Sequence, residues 1–266
     1  MHFDLVKNLG KKLLCSFSIC TIVVLHSPFA SADEIDKIIG KNDFVIVNAK
    51  ATNIPFRYQK LVDSIGLLKS GCTVTHIGLG YAITAGHCFW APPAGKFNMP
   101  CEDETIQWGL REGAEPYLTS QCKEIIAAVR NNDEYDFAII KVDPIPPTFI
   151  PVDLNHKPLC GQALTLFSHP DFEPLRWSKS CVVEKNLHPD FSPLALQHKC
   201  DSLKGSSGAA LLDRASLKIV AVHVGGAEAE PDRNEPAFPA VKSGLNYGTY
   251  VLGTPFEAAL RQLGFK

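Results

Sequence analysis

Beyond residue 40 the chain is dominated by short runs rich in Val, Ile and aromatic residues, at 44–47, 64–68, 73–78, 81–84, 125–129, 137–142, 163–167, 181–183, 209–212, 219–224 and 247–251. Each is of strand length, and Gly, Pro, Asn, Asp or Ser punctuates the gaps. Long amphipathic helices do not alternate with these runs, so the parallel sheet of a βαβ fold is excluded. No internal repeat or low-complexity tract interrupts them. Asp143-Pro144-Ile145-Pro146-Pro147, followed by Pro151, cannot lie inside a central strand, because proline has no amide hydrogen to donate to the ladder. This segment, 144–155, reads as a linker between two halves with similar strand content, 38–143 and 156–266. The end of the chain differs. Thr254 is placed to cap a helix opening at Pro255, with Phe256, Leu260 and Leu263 on one face and Gly264 to stop it. The expected fold class is all-β: two tandem six-stranded antiparallel barrels and a C-terminal α-helix.

Apolar residues at 45% and charged residues at 20% exclude wholesale disorder. A net charge of −2 carries no basic field, so nucleic acid is not an expected partner. Lys7, Lys11 and Lys12 precede an apolar run at 13–25, which is short for a membrane span, and Ala30-Ser31-Ala32 follows. This reads as a signal peptide over 1–32 and a short pro-segment over 33–37, so the protein is expected to be exported, secreted or periplasmic, without a membrane anchor. Of nine cysteines, Cys15 and Cys20 would leave with the signal, and the rest would meet an oxidising compartment.

Three segments carry chemistry. In Ile83-Thr84-Ala85-Gly86-His87-Cys88 a histidine follows a strand end in a turn of small residues. In Asp136-Phe137-Ala138-Ile139-Ile140 an acid opens an apolar strand, which can leave its carboxylate at a barrel rim; Asp133 is its rival. In Gly205-Ser206-Ser207-Gly208-Ala209-Ala210 a serine stands on a backbone free to aim successive N–H groups at one point. Taking Ser207 as nucleophile puts glycine at −2 and +1; taking Ser206 does not. Singly, each segment is more often structural. Together they present His87, Asp136 and Ser207 in an order known for hydrolytic triads.

Thr84-Ala85-Gly86-His87-Cys88 and Gly205-Ser206-Ser207-Gly208-Ala209 resemble the two signature motifs of chymotrypsin-fold serine proteases. Ser168-His169-Pro170, Cys200-Asp201-Ser202 and the run from Ile219 to Gly226 resemble segments of bacterial secreted glutamyl-endopeptidase-like enzymes, and Ile38-Ile39-Gly40 resembles the start of their mature domain. The resemblance implies a serine endopeptidase that acts as a monomer on protein or peptide substrates, with no metal and no organic cofactor. It implies oxyanion donors at Gly205 and Ser207, and a substrate pocket involving Asp201, Ser202, His223 and Gly225. A histidine and a hydroxyl at such positions suit an acidic substrate residue. Asp201 supports a competing reading, because trypsins carry their Arg/Lys-binding acid six residues before the nucleophile. Loss of catalysis, leaving a binding protein, is a third reading, opposed by the intact triad. Trypsin-like zymogens also need an acid just before the nucleophile to receive a new N-terminal ammonium; this chain has Ser206 there, which puts that switch in doubt. The resemblance pairs Cys72 with Cys88 and Cys181 with Cys200. Proximity within the first half suggests Cys101 with Cys122 and leaves Cys160 odd.

Overall fold

A computed structural model describes residues 38–92, 94–131, 134–185, 192–226 and 245–266. The expected signal peptide, the pro-segment and the rival Asp133 lie outside these. The first half contains β1 (Val45–Ile46), β2 (Ile65–Leu68), β3 (Thr73–Gly78), β4 (Tyr81–Thr84), β5 (Lys96–Pro100), β6 (Thr105–Trp108), β7 (Leu118–Asn131) and β8 (Tyr135–Asp143), with a short α1 (Phe56–Gln59). The second contains β9 (Ala163–Ser168), β10 (Arg176–Trp177), β11 (Cys181–Val182), β12 (Ala195–His198), β13 (Ala210–Asp213), β14 (Ile219–Gly226), β15 (Asn246–Tyr250) and the terminal α2 (Pro255–Gln262).

Strands β7-β6-β2-β3-β4-β8 pair in that order, and β8 pairs back onto β7, closing a six-stranded antiparallel barrel with β5 added on the outside of the ring. In the second half β11-β9-β13-β14-β15-β12 form a sheet whose ends meet at a single bridge between Val183 and His198. The Cys181–Cys200 disulfide clamps the same seam. The two-barrel, all-β expectation therefore holds. β1 belongs to the second sheet through β10, although it comes first in the chain, so the N-terminal segment straps the two halves together.

Three apolar clusters explain why the halves adhere. Val74, Ile106, Trp108, Ile125 and Ile140 fill the first barrel. Leu164, Leu166, Leu196, Leu211 and Val220 fill the second. The largest cluster lies between them and joins Ile77, Ile83 and Phe137 to Phe167, Leu212 and Phe256. There the Phe137 and Phe256 rings stack at 4.6 Å, so α2 docks against β8, the strand that carries Asp136. The helix starts as its sequence predicts, with Thr254 Oγ1 accepting from the Phe256 N–H at 3.2 Å.

Four strands lie outside the apolar runs of the sequence: β5, β6, β10 and β12. β6 alternates with Ile106 and Trp108 buried and Gln107 exposed, but four residues are too few for the period to stand out. β5 ends in Pro100 and pairs only with β7, an edge position where proline is tolerated. The 144–155 segment enters through a cis Asp143–Pro144 bond and passes to the second half, where Val152 bridges Ile219. Among the described residues no helix is long and apolar enough to cross a membrane.

Candidate active site

His87 stands in the 3-10 turn Gly86–Phe89, directly after β4. The turn needs glycine at its start: a Cβ on Gly86 would lie 2.3 Å from the Val129 carbonyl oxygen. The turn is tied down by the Cys72–Cys88 disulfide. Asp136, on β8, is buried and its carboxylate faces this turn. Oδ1 accepts from the Gly86 N–H and, at 3.0 Å, from the His87 N–H, while Oδ2 lies 2.8 Å from His87 Nδ1. An anion bonded this way needs an N–H on Nδ1, which leaves Nε2 as the basic nitrogen in neutral imidazole. Arg130 Nε, 3.9 Å from the same Oδ2, adds positive charge that the motifs did not foretell. The second barrel reaches across to hold the acid's backbone: Thr249 Oγ1 accepts from the Asp136 N–H at 2.7 Å and donates to its carbonyl at 2.9 Å.

The serine loop is stitched to both halves. From the first barrel, the Thr73 N–H donates to the Ser207 carbonyl at 2.9 Å and Thr73 Oγ1 to the Gly205 carbonyl at 2.8 Å. From the second, the Gly208 N–H donates to the His223 carbonyl at 2.8 Å. Gly205 and Gly208 have φ of +93° and +84°, the left-handed region that glycine enters without strain. The consequence is that the N–H groups of Gly205 and Ser207, both in buried residues, have no hydrogen-bond partner among the described residues. An amide left without a protein partner keeps its N–H for a bound group. Ser207 Oγ donates to the Val224 carbonyl at 3.1 Å. Ser206 is turned inward: its Oγ lies 3.0 Å from Ser168 Oγ and accepts from the Leu203 N–H. Ser206 is thus consumed by the interior.

Of the expected pocket residues, Ser202 and His223 are fully buried, and Gly225 pairs with Tyr247 across β14 and β15. Residues 227–244, which continue from β14, lie outside the described set. Asp201 is placed differently from its expected role in substrate binding. Its carboxylate accepts from the Ile39 N–H at 2.8 Å and the Asp43 N–H at 3.3 Å, so it anchors the N-terminal strap. Burial raises its pKa, against the pull of those two bonds.

A residue the motifs missed is His198. It is fully buried on β12, and its Nε2 lies 3.1 Å from His223 Nδ1. Its Nδ1 accepts from the Cys200 N–H at 3.1 Å, and the Tyr247 backbone bonds to the same ring. Burial first, and His223 second, hold His198 well below the ordinary imidazole pKa.

Cys72, His87 and Cys88 bring potential metal-ligand atoms within 4.8 Å of one another. The two sulfurs are joined in a disulfide, so neither offers the thiolate that binds metal. Cys101 pairs with Cys122, and Cys160 is unpaired and exposed.

The trypsin-like peptidase domain family matches residues 69–222. Among solved structures, a Glu endopeptidase in complex with MPD superposes with a TM-score of 0.61 at 18% identity, covering 86% of this chain and 100% of that chain. A thermostable serine protease from an extremophilic microorganism gives 0.55 at 15% identity, covering 76% and 94%. A serine endoprotease from Yersinia pestis gives 0.51 at 12%, covering 79% and 67%. At such identities the likeness is one of fold. No curated protein matches.

Proposed function

The chain belongs to the trypsin-like peptidase family and is a serine endopeptidase; from that premise we propose that it hydrolyses peptide bonds through an acyl-enzyme on Ser207. The observation that carries this reading is Asp136 Oδ2 standing 2.8 Å from His87 Nδ1 while Oδ1 accepts from the Gly86 and His87 N–H groups. Rotation of Ser207 about its Cα–Cβ bond, between staggered wells, turns the hydroxyl from the Val224 carbonyl toward His87. His87 Nε2 takes the hydroxyl proton as Oγ attacks the substrate carbonyl carbon. The carbonyl oxygen becomes an anion between the Gly205 and Ser207 N–H groups. Loss of one such donor costs about 10²–10³ in rate. Asp136 holds the ring and stabilises the imidazolium. The proton passes to the leaving amine, and water repeats the sequence on the ester. Covalent labelling of Ser207 by a fluorophosphonate, absent in Ser207→Ala, is the expected result. Labelling at Ser206 moves the nucleophile to that residue; no labelling favours a non-catalytic binding protein.

The preferred substrate residue before the scissile bond is acidic, Glu above Asp. His223 supports this: an imidazole at this place in the fold, 3.1 Å from His198, is a group able to donate to a carboxylate that gives up its water. Ser202 is the companion hydroxyl and Gly225 the backbone beside it. Asp201, engaged with Ile39 and Asp43, weighs against a trypsin-like preference for Arg or Lys. Peptides differing only in that residue test the point. Glu is expected to exceed Arg and Phe, and His223→Ala is expected to lose about 10²-fold on Glu. Faster cleavage after Arg overturns the acidic reading. Export through a signal peptide at 1–32, with a pro-segment at 33–37, belongs to the same proposal. Three disulfides support it, because such bonds persist in oxidising compartments.

A further inference from the structure

Strands β7 and β8 form one hairpin of the first barrel, and their register sets Arg130 directly opposite Asp136. Residues paired in this way point to the same face of the sheet, with Cβ atoms about 5 Å apart. The hairpin itself therefore builds a guanidinium beside the carboxylate. Arg130 Nε stands 3.9 Å from Asp136 Oδ2, the oxygen that lies 2.8 Å from His87 Nδ1. Oδ1 is taken by the Gly86 and His87 N–H groups. One oxygen of the acid thus faces backbone amides, and the other faces both the imidazole and a permanent cation. The Asp136 side chain is 7% exposed and that of Arg130 29%, so water screens the guanidinium in part but hardly reaches the acid.

The other ionisable groups on the elements packed around this pair are directed elsewhere. The 3-10 turn after β4 carries none besides His87, and β4 brings only Tyr81, at its far end opposite Lys141. On β8 the Tyr135 ring lies against that of Phe137, with centroids 6.2 Å apart. In the hairpin turn Glu134 accepts from Asn131 Nδ2 at 3.1 Å. β15 meets the acid with the neutral Thr249. His223 of β14 turns its ring to His198, and Lys204 of the serine loop turns its ammonium to the Phe172 ring, 5.7 Å from the centroid. Lys96 of β5 stands opposite Ala128, two residues from Arg130 along β7, and carries the same sign. Among the described residues, Arg130 is the cation that joins His87 within ion-pair range of Asp136.

We propose that Arg130 is a positioning residue that acts through Asp136 on His87, and that by sharing Oδ2 with the imidazole it extends activity to lower pH. The inference rests on the peptidase reading above. His87 works as a base only while Nε2 is free of a proton. The Asp136 carboxylate favours the protonated ring, and a fixed positive charge at the same oxygen opposes it. A guanidinium does not titrate at working pH, so it adds no step of its own and moves only the midpoint of the acid limb, downward. A unit charge a few ångströms from the carboxylate, partly screened by water, moves such a midpoint by about 0.5–1 pH unit.

The test is the rate of Ser207 labelling by an uncharged fluorophosphonate, followed in half-unit steps from pH 4 to 9 with wild type, Arg130→Gln and Arg130→Lys. The reagent carries no titratable group, so the limb belongs to the enzyme. Arg130→Gln is expected to raise the midpoint by about 0.5–1 unit, a loss of about three- to tenfold on the acid side that closes toward the alkaline plateau. Arg130→Lys, which keeps the charge, is expected to stay within about 0.3 unit of wild type. Salt at about 1 M should shrink the difference between wild type and Arg130→Gln. If Arg130→Gln has no cooperative unfolding transition, Arg130→Met, which keeps the apolar stem, takes its place. A midpoint that stays put or falls in the neutral variant overturns the proposal, as does a Lys variant that moves as far as Gln. Slowing by one factor at every pH, the mark of a structural role, overturns it too. No labelling of wild type overturns the peptidase reading with it; labelling with coincident midpoints overturns the role of Arg130 alone.

Discussion

His169 makes a quantitative prediction about acid stability. Its side chain is fully buried, Nδ1 lies 2.9 Å from the Glu173 carbonyl, and Nε2 has no partner among the described residues. Nδ1–H therefore donates, and Nε2 is a bare acceptor that would have to become a buried N–H on protonation. Burial lowers the pKa to about 4, against a smaller upward push from the Glu173 bond. The unfolded chain takes up this proton near 6.5. Between pH 6.5 and 4 the unfolded state thus binds more protons, and stability falls as pH falls; above 6.5 the contribution is fully present. At about 1.4 kcal/mol per pH unit the loss over that window is about 3 kcal/mol. That is a large share of the 5–15 kcal/mol typical of a domain. The assay is urea unfolding of Ser207→Ala protein, which cannot digest itself, at half-unit steps from pH 8 to 4, with and without His169→Gln. Gln keeps a donor for Glu173 and does not titrate. His76 and His198, whose pKa values burial also lowers, and Asp201 and Glu104, whose values burial raises, are present in both proteins and cancel in the difference. The His169→Gln curve should lose about 3 kcal/mol less across the window. Curves that stay parallel within about 0.5 kcal/mol refute the reasoning.

Three further outcomes follow from the site. Asp136→Asn should leave KM little changed and lower kcat by about 10⁴, because the amide favours the wrong His87 tautomer; steady-state kinetics on one peptide decide it. Asp201→Ala should release Ile39 and Asp43, cost about 1–3 kcal/mol and lower Tm by several degrees, while leaving Glu preferred over Arg. An Arg-cleaving activity present in wild type and lost in this variant would contradict the anchoring role. Gly208→Ala should fail to give folded protein by circular dichroism, since its Cβ would stand 1.9 Å from Thr84 Oγ1 at a φ of +84°; a soluble variant with normal Tm would show that the loop can shift.

What was legible in the sequence depended on whether a local pattern carried the information. Runs such as 73–78 and 219–224 are apolar and bounded by turn residues, and they appear as β3 and within β14. His87, Asp136 and Ser207 stand in short segments whose small residues announce a constrained backbone, and the structure brings the first two into contact. His198 offers no such sign. It becomes informative only when β12 pairs with β15 and β15 with β14, which sets it beside His223, 25 residues later in the chain. Asp201 was misleading in the opposite way. Its spacing from Ser207 suggested a pocket acid, but spacing along a chain does not say which amides will compete for a carboxylate, and Ile39 and Asp43 do so from 162 and 158 residues away.

The same logic explains why the site lies where the halves meet. The acid and the serine loop are each held by a threonine of the other barrel: Asp136 of the first by Thr249 of the second, and the Ser207 loop of the second by Thr73 of the first. The apolar cluster joining Ile83 and Phe137 to Phe167 and Phe256 keeps these contacts within hydrogen-bonding distance. Such bonds weaken steeply beyond about 3.5 Å, so even a small sliding of one barrel on the other would loosen the acid and the serine loop together. The two barrels have separate interiors, yet the site's geometry requires the cluster they share to be intact. Substitutions that thin this cluster, although distant from Ser207, therefore act on catalysis through geometry before they act through loss of folded protein.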